Sequence, residues 1–301
     1  MNKELKLITA DVKENTATTY TNNYLRLREA LGMNDKRKPV KTVGLDKIEP
    51  VLLDDSFNAN ARAGMLTIVK KLFSTESDKE KIDEIDTKIR QHKRDHQVKK
   101  NGELTETLPT YKEMIAGLKK VEDPRKYLIN WMFIHANTRN ADIALIDVHR
   151  SIPSRPVEMD ELDKERNHIV LVEGHAVLIR HIYKTSKSYG TKKNKITSRA
   201  FIDKAREYLE DELDLPLLTT KTGGAVPPAS FGAYLKKYRL MGLTESQIMK
   251  INMQNIAEKG SYNMLRKVSQ NRGTSISTLL QEYDISNIQE PSTELKGEVE
   301  A

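Results

Sequence analysis

The stretch SYNMLRKVSQNRGTSISTLLQEYDI, residues 261–285, decides how the chain is interpreted. Its apolar residues recur at helical spacing and are interrupted at Gly273, which predicts two short helices joined there. These helices carry Arg266, Arg272 and Tyr283. Taken alone, the pattern is typical of an amphipathic helix pair with solvent-facing arginines and a core tyrosine.

Length and composition limit the class of protein. A chain of 301 residues is expected to hold about two domains. It has 38% hydrophobic and 31% charged residues, so it can bury cores beneath a polar surface. The absence of cysteine excludes disulfides and thiolate metal sites and fits a reducing compartment. No apolar run reaches the roughly 18 residues of a membrane span, and the first residues lack a signal peptide's apolar region.

The charge is unevenly distributed. Six acidic residues and one lysine give residues 282–301 a net charge of −5, which leaves +12 for the rest of a chain whose total is +7. A basic body favours a polyanionic partner, and nucleic acid is the usual one.

The first hundred residues show helical patterning throughout. Helices are predicted from Thr16 or Thr18 to Gly32, over 45–53 and over 58–73. Residues 36–41 form a basic loop suited to phosphates. The run 79–100 is the most charged and is either a solvated linker helix or a segment lying against DNA. Asn101-Gly102 predicts a turn and a domain boundary.

Strand patterning enters only in the second part. Helices are predicted over 110–118, 124–137, 198–213, 230–240 and 244–258. Arg139 directly follows a buried helix and therefore needs an anion, either Asp142 or a DNA phosphate. Alternating residues over 168–172 and 176–183 predict a β-hairpin that delivers Lys184 to a basic loop.

The order of these features resembles the catalytic half of the tyrosine recombinases, the phage-type integrases. The features are an arginine, a lysine at a β-hairpin, a Leu-Arg-Lys helix and a tyrosine. The Thr-x-x-Tyr-x-x-x-Leu pattern of the first helix is similar to that family's core-binding domain. The resemblance implies a mainly α fold with a small antiparallel β-sheet, and a helix over 141–147 after Arg139. It also implies a helical DNA-binding domain over 1–100, a catalytic domain over 101–285 and an acidic tail over 286–301.

The resemblance also implies a mechanism without metal, ATP or other cofactor. Arg139 and Arg266 would present planar forks to the scissile phosphate, with Arg272 near them. Lys184 would protonate the leaving 5′ oxygen, and Tyr283 would attack to form a 3′-phosphotyrosine. The residues expected to contact DNA are Asn263, Lys187, Lys192, Lys193, Lys38, Lys41 and Arg94.

The chain departs from the family pattern in two ways. Its last histidine is His181, so the family's His-x-x-Arg box here begins with Asn263 and no late histidine follows. The interval from Arg266 to Tyr283 is also short. Three alternatives therefore stay open: an inactive DNA-binding protein with the same fold, a type IB topoisomerase-like enzyme, and a metal-dependent nuclease using Asp142 and Asp147.

The expected partners follow from the same resemblance. We expect duplex DNA, clamped between the two domains, and a homo-oligomer, from dimer to tetramer, assembled on it. The acidic tail is expected either to be disordered or to dock on a neighbouring subunit. No membrane association is expected. A recombinase of a virus or mobile element would lie inside the cell on DNA, in a prokaryotic cytoplasm or in a nucleus or virus factory.

Overall fold

A computed structural model describes residues 3–35, 37–105, 107–220, 226 and 230–283. Within these ranges it leaves out the side chains at positions 15, 93, 94, 96–105, 281 and 282. The chain divides into two compact units, Met1–Glu106 and Thr107–Ala301. None of the described helices combines the length and the apolar character needed to cross a membrane.

The described part of the first unit is helical. Its core consists of aliphatic side chains from every helix together with Tyr24 and Phe73. Asn58 begins the fourth helix, because its side chain accepts a hydrogen bond from the Ala61 amide at 2.9 Å. The α-helices are α1 (Lys3–Thr9), α2 (Glu14–Ala30), α3 (Leu45–Leu53), α4 (Ala59–Leu72) and α5 (Glu76–Thr105).

A buried carboxylate shapes the loop that follows α2. Glu4 accepts hydrogen bonds from the Tyr24 hydroxyl at 2.8 Å and from the amides of Val40 and Lys41 at 2.7 and 2.9 Å. Arg28 donates to the Lys38 carbonyl at 2.7 Å. These hydrogen bonds hold the backbone of residues 38–41, while the side chains of Lys38 and Lys41 are exposed.

The second unit combines helices with a sheet. The helix that leads to Arg139 ends in a π-helical segment, Met132–Ala136, and Asn137 adopts a left-handed conformation with φ 52°. The α-helices are α6 (Tyr111–Lys119), α7 (Pro124–Trp131), α8 (Asn140–Ile143), α9 (Ser186–Tyr189), α10 (Arg199–Leu209), α11 (Phe231–Lys237), α12 (Glu245–Lys259), α13 (Tyr262–Arg272) and α14 (Ile276–Tyr283).

Five strands form one mixed sheet in the order β4-β3-β2-β1-β5. The β2 and β3 strands form the predicted hairpin, and β1 pairs with β2 in parallel. One face packs into the main core, with Ile146, Ile169 and Leu178 among its buried residues. The strands are β1 (Ile146–Arg150), β2 (Asn167–Val172), β3 (His175–Arg180), β4 (Lys192–Ile196) and β5 (Asp214–Pro216).

The predicted fold class, mainly α with a small sheet, is confirmed. The sheet is mixed, however, and not wholly antiparallel. Residues 151–166 connect β1 to β2, and a connection of this length is needed for the two strands to run parallel. The helix expected over 141–147 is present only at its start, because α8 ends at Ile143 and β1 begins at Ile146.

Two further boundaries differ from prediction. Helix α5 continues through Asn101 and Gly102 to Thr105, so no turn interrupts it there. Strand β3 ends at Arg180, so Lys184 lies in the segment after the strand. The acidic tail over 286–301 lies outside the described residues.

Candidate functional site

The carboxyl end of α13 is surrounded by cationic side chains from other elements. Arg139 donates from Nη1 to the Arg272 carbonyl at 2.7 Å, and Arg180 donates from Nη2 to the Asn271 carbonyl at 2.8 Å. Lys192 donates to the Gln270 carbonyl. These carbonyls lie at the negative end of the helix dipole, which favours cations there, although the Gln270 carbonyl also accepts from the Gly273 amide at 3.3 Å.

Arg139 is positioned by the break between the π-helical segment and α8. Its amide donates to the Asp142 carboxylate at 3.1 Å, and Nη2 donates to Thr274 Oγ1 at 2.7 Å. Burial and the nearby charge of Arg272 lower the pKa of Arg139, while Asp142, Glu245 and Tyr283 act in the opposite direction. Arg139 therefore lies within the electrostatic range of both Arg272 and Tyr283.

A buried ion pair lies behind Arg139. The side chains of Arg180 and Asp142 are fully buried, and Arg180 Nη1 is 3.5 Å from Asp142 Oδ2. Burial lowers the pKa of Arg180 and raises that of Asp142, and each charge partly offsets the effect on the other. Among the described atoms, Nε and Nη1 of Arg180 have no hydrogen-bond partner. Arg180 therefore has buried N–H groups that are not used in hydrogen bonds within the described structure.

Lys192 is the lysine that faces this cluster. Its Nζ lies 4.7 Å from the Tyr183 ring centroid and 5.3 Å from that of Tyr189. Burial, followed by the charges of Arg180 and Arg139, lowers the pKa of Lys192 to about 8. A lysine with this pKa can give up a proton near neutral pH, which an ordinary surface lysine does poorly.

Gly273 allows the close packing at the end of α13. It caps the helix in the left-handed region with φ 61°, and Thr185 Oγ1 donates to its carbonyl at 3.0 Å. A Cβ added at Gly273 would lie 2.2 Å from Thr185 Oγ1 and 3.2 Å from Lys192 Nζ. Only glycine fits there without moving the neighbouring side chains.

Tyr283 ends α14 and is half-buried beside a small apolar core that includes Leu265 and Leu279. Arg272 forms an ion pair with Glu245 at 2.6 Å, and both side chains are largely buried. Four cations (Arg139, Arg180, Lys192 and Arg272) thus accompany two carboxylates (Asp142 and Glu245) in one region. The excess of positive charge favours binding of an anion.

The structure assembles only part of the predicted catalytic set. Arg139, Arg272 and Tyr283 belong to this cluster. Arg266 is exposed on α13, whereas the groups that Arg139 contacts are Arg272 and Thr274. Lys184 is exposed after β3, and the lysine at the cluster is Lys192.

The predicted DNA-contacting residues lie in several places. Asn263 and Lys187 are exposed, and Lys193 pairs with Asp160 at 2.7 Å. In the first unit Lys38 and Lys41 are exposed on the loop that Glu4 holds. Arg94 belongs to α5, and its side chain lies outside the described residues.

Sequence reasoning missed Arg180 and assigned Lys192 only to DNA contact. Arg180 ends an apolar strand, and its pairing with Asn167 on β2 and Lys192 on β4 places all three on one face of the sheet. A cation that ends an otherwise apolar strand was the available signal. The face to which it points depends on register, which the sequence alone does not give.

Comparisons with known proteins assign no family. No protein-family model matches the chain, and no curated protein matches it. Among solved structures, the crystal structure of XerA recombinase is similar over 93% of this chain and 92% of that chain, with 10% sequence identity and a TM-score of 0.35. At that TM-score the similarity supports no argument about family or activity.

Proposed function

We propose that this protein binds duplex DNA and breaks and rejoins its strands through a covalent phosphotyrosine at Tyr283. The observation that carries the proposal is the convergence of Arg139, Arg272 and Lys192, from distant parts of the sequence, at the carboxyl end of α13. Tyr283 lies within electrostatic range of Arg139. The order of these residues also resembles that of the tyrosine recombinases.

The proposed chemistry follows from the donors available. Arg139 and Arg272 would neutralise the non-bridging oxygens of a phosphate, because a guanidinium offers paired donors to two oxygens. Cationic surroundings would favour loss of the Tyr283 hydroxyl proton to solvent, and the resulting phenolate oxygen would attack phosphorus. The bond to the 5′ oxygen breaks as the bond to tyrosine forms, and the 5′ oxygen takes a proton.

The proton donor that the geometry supports is Lys192 in place of Lys184. A general acid works best when its pKa is close to the working pH. The pKa of Lys192 is about 8, and its Nζ is directed to the end of α13. Reversal of the same steps, with another strand end as nucleophile, would rejoin DNA without metal or ATP. The proposed partner is duplex DNA bound by a homo-oligomer.

A second candidate, DNA binding without cleavage, is favoured by one specific observation. The described donors of Arg139 and Lys192 already hold α13 carbonyls, and Arg272 is paired with Glu245 at 2.6 Å. A phosphate would have to displace these contacts. If nothing displaces them, the cations act only as a structural cap for α13.

A covalent-trapping experiment distinguishes the two candidates. Binding sequences are selected from a random duplex pool, and the selected duplexes are then nicked so that cleavage releases a short fragment and traps the protein. A denaturing gel should show protein attached to DNA for the unmutated chain and for Tyr262→Phe, and none for Tyr283→Phe. Selection of specific duplexes without any covalent product would support the binding protein and reject the enzyme.

A further inference from the structure

A second group of polar side chains lies on the other face of the sheet. Asp147 on β1 pairs in register with His168 on β2, and His149 lies two residues further along β1. Residues that pair in register share a face, as do residues two apart on a strand. Asn167 and Arg180, which belong to the candidate site, occupy the opposite face. The two groups are therefore separated by the thickness of the sheet.

The outer hydrogen bonds of the two histidines fix their tautomers. His149 Nδ1 donates to Asp214 Oδ1 at 2.7 Å, and His168 Nε2 donates to the Asp163 carbonyl at 2.8 Å. Asp214 also accepts a hydrogen bond from Arg155 Nη2 at 2.8 Å, so it serves as an acceptor for both side chains. A neutral imidazole has one N–H, and each ring donates it to one of these partners and not to the other histidine.

The inner nitrogens are consequently both acceptors. His149 Nε2 and His168 Nδ1 are 3.0 Å apart, and each carries a lone pair. Two lone pairs at that distance repel each other unless a cation lies between the rings. The cation is either an additional proton or a metal ion.

The third member of the group favours a metal ion. Ligand atoms of Asp147, His149 and His168 all lie within 4.8 Å of one another. Imidazole nitrogen and carboxylate oxygen are common zinc ligands, and three protein ligands with an open fourth position form a known type of zinc site. Histidines that bind metals typically donate their other N–H to a carboxylate or a backbone carbonyl. Asp214 and Asp163 provide one of each.

Neighbouring arginines restrict how Asp147 could bind an ion. Arg166 is paired with the Asp147 carboxylate, so Asp147 would share its oxygens between the guanidinium and the ion. A carboxylate has about four lone-pair positions and can serve both. Arg155 and Arg166 both belong to the segment joining β1 to β2, which lies along this face through these pairs.

We propose that Asp147, His149 and His168 bind one Zn²⁺ ion through a carboxylate oxygen, Nε2 and Nδ1 respectively. Bound there, the ion would join β1 to β2, the parallel pair that no hairpin connects. A ligand that binds the folded state and not the unfolded state stabilises the folded state. Zinc should therefore raise the melting temperature of the second unit. This proposal does not depend on the proposed function, because the zinc site lies on the opposite face of the sheet.

The test measures zinc directly on the full-length chain, purified without a histidine tag. Metal is removed with a chelator, the chelator is removed, ZnCl₂ is added and the protein is gel-filtered before elemental analysis. We expect one zinc per chain for the unmutated protein and for His175→Gln, a control on β3 outside the group. His149→Gln and His168→Gln should retain none and should lose the zinc-dependent rise in melting temperature.

A second measurement does not depend on the folding of variants. Diethyl pyrocarbonate modifies accessible histidines, and mass spectrometry locates each adduct. Zinc should protect His149 in the unmutated chain and leave His175 reactive. The proposal is overturned if the unmutated chain retains no zinc after gel filtration. It is also overturned if zinc leaves His149 as reactive as His175, in which case a proton joins the two rings.

Discussion

Replacing Gly273 with alanine tests how tightly the candidate site is packed around the end of α13. Gly260 provides a matched control, because it caps α12 with φ 59° just as Gly273 caps α13 with φ 61°. A Cβ at Gly260 would meet no atom within 4 Å, whereas one at Gly273 would lie 2.2 Å from Thr185 Oγ1. The two variants therefore share a backbone cost and differ in steric cost.

The magnitudes follow from these contacts. An alanine in the left-handed region costs about 1–2 kcal/mol, and both variants lose this amount. Gly273→Ala must also displace Thr185, whose hydrogen bond to the Gly273 carbonyl contributes about 1 kcal/mol. Overpacking against Lys192 and Tyr183 adds a further cost of about 1 kcal/mol or more. We expect Gly273→Ala to lose about 2 kcal/mol more stability than Gly260→Ala.

The assay is urea unfolding followed by tryptophan fluorescence. Trp131 is the only tryptophan and lies on α7, with its ring 4.5 Å from that of Phe201, so it reports on the second unit. The difference between the two variants is read from the shift in urea midpoint. Equal losses of stability in the two variants would show that the junction is not closely packed, and the described site geometry would then be wrong.

Three further predictions concern Lys192, the buried Glu4 and the exposed pair Lys38 and Lys41. Single-turnover rates of strand cleavage should fall as the pH rises through about 8, because Lys192 loses its proton there. Lys192→Arg should cleave slowly at every pH, because arginine does not give up its proton in this range. Glu4→Ala should lower the free energy of unfolding by at least about 2 kcal/mol, because it leaves buried donors unpaired. Glu14 is exposed, so Glu14→Ala should lower the free energy of unfolding by no more than about 0.5 kcal/mol. Both variants are measured by denaturant unfolding followed by circular dichroism, and equal losses of stability would contradict the role of Glu4. DNA affinity should fall steeply with salt in a fluorescence-anisotropy titration. Replacing both Lys38 and Lys41 with alanine should reduce the slope of log binding constant against log salt concentration by about 2. An unchanged slope would show that these lysines do not contact DNA.

Local patterns predicted most of the helices because their signals are local. The Gly273 break in residues 261–285 correctly located the junction of α13 and α14. The parallel β1 strand was missed because its partner β2 lies beyond a long connecting segment, and such pairing leaves no local signal. Gly102 was expected to end a helix, yet a glycine costs only about 1 kcal/mol inside a helix, and the 30-residue α5 continues through it.

The candidate site was less predictable because it depends on which way side chains face. Arg266 and Arg272 belong to one helix, but six residues turn a helix by about 240°, so they point in different directions. Only the packing of α13 brings the Arg272 end to Arg139. Lys192 and Lys193 are neighbours in a basic strand, and the alternation of the sheet directs Lys192 to the cluster and Lys193 to Asp160.

The central claim is that Tyr283 attacks DNA, and locating the covalent bond tests it most directly. Protein trapped on a nicked duplex is digested with nuclease and protease, and mass spectrometry identifies the peptide that carries the residual nucleotide. We expect a nucleotide linked through phosphate to Tyr283. A nucleotide on Tyr262 or on any other residue, or no adduct although the duplex is bound, would contradict it.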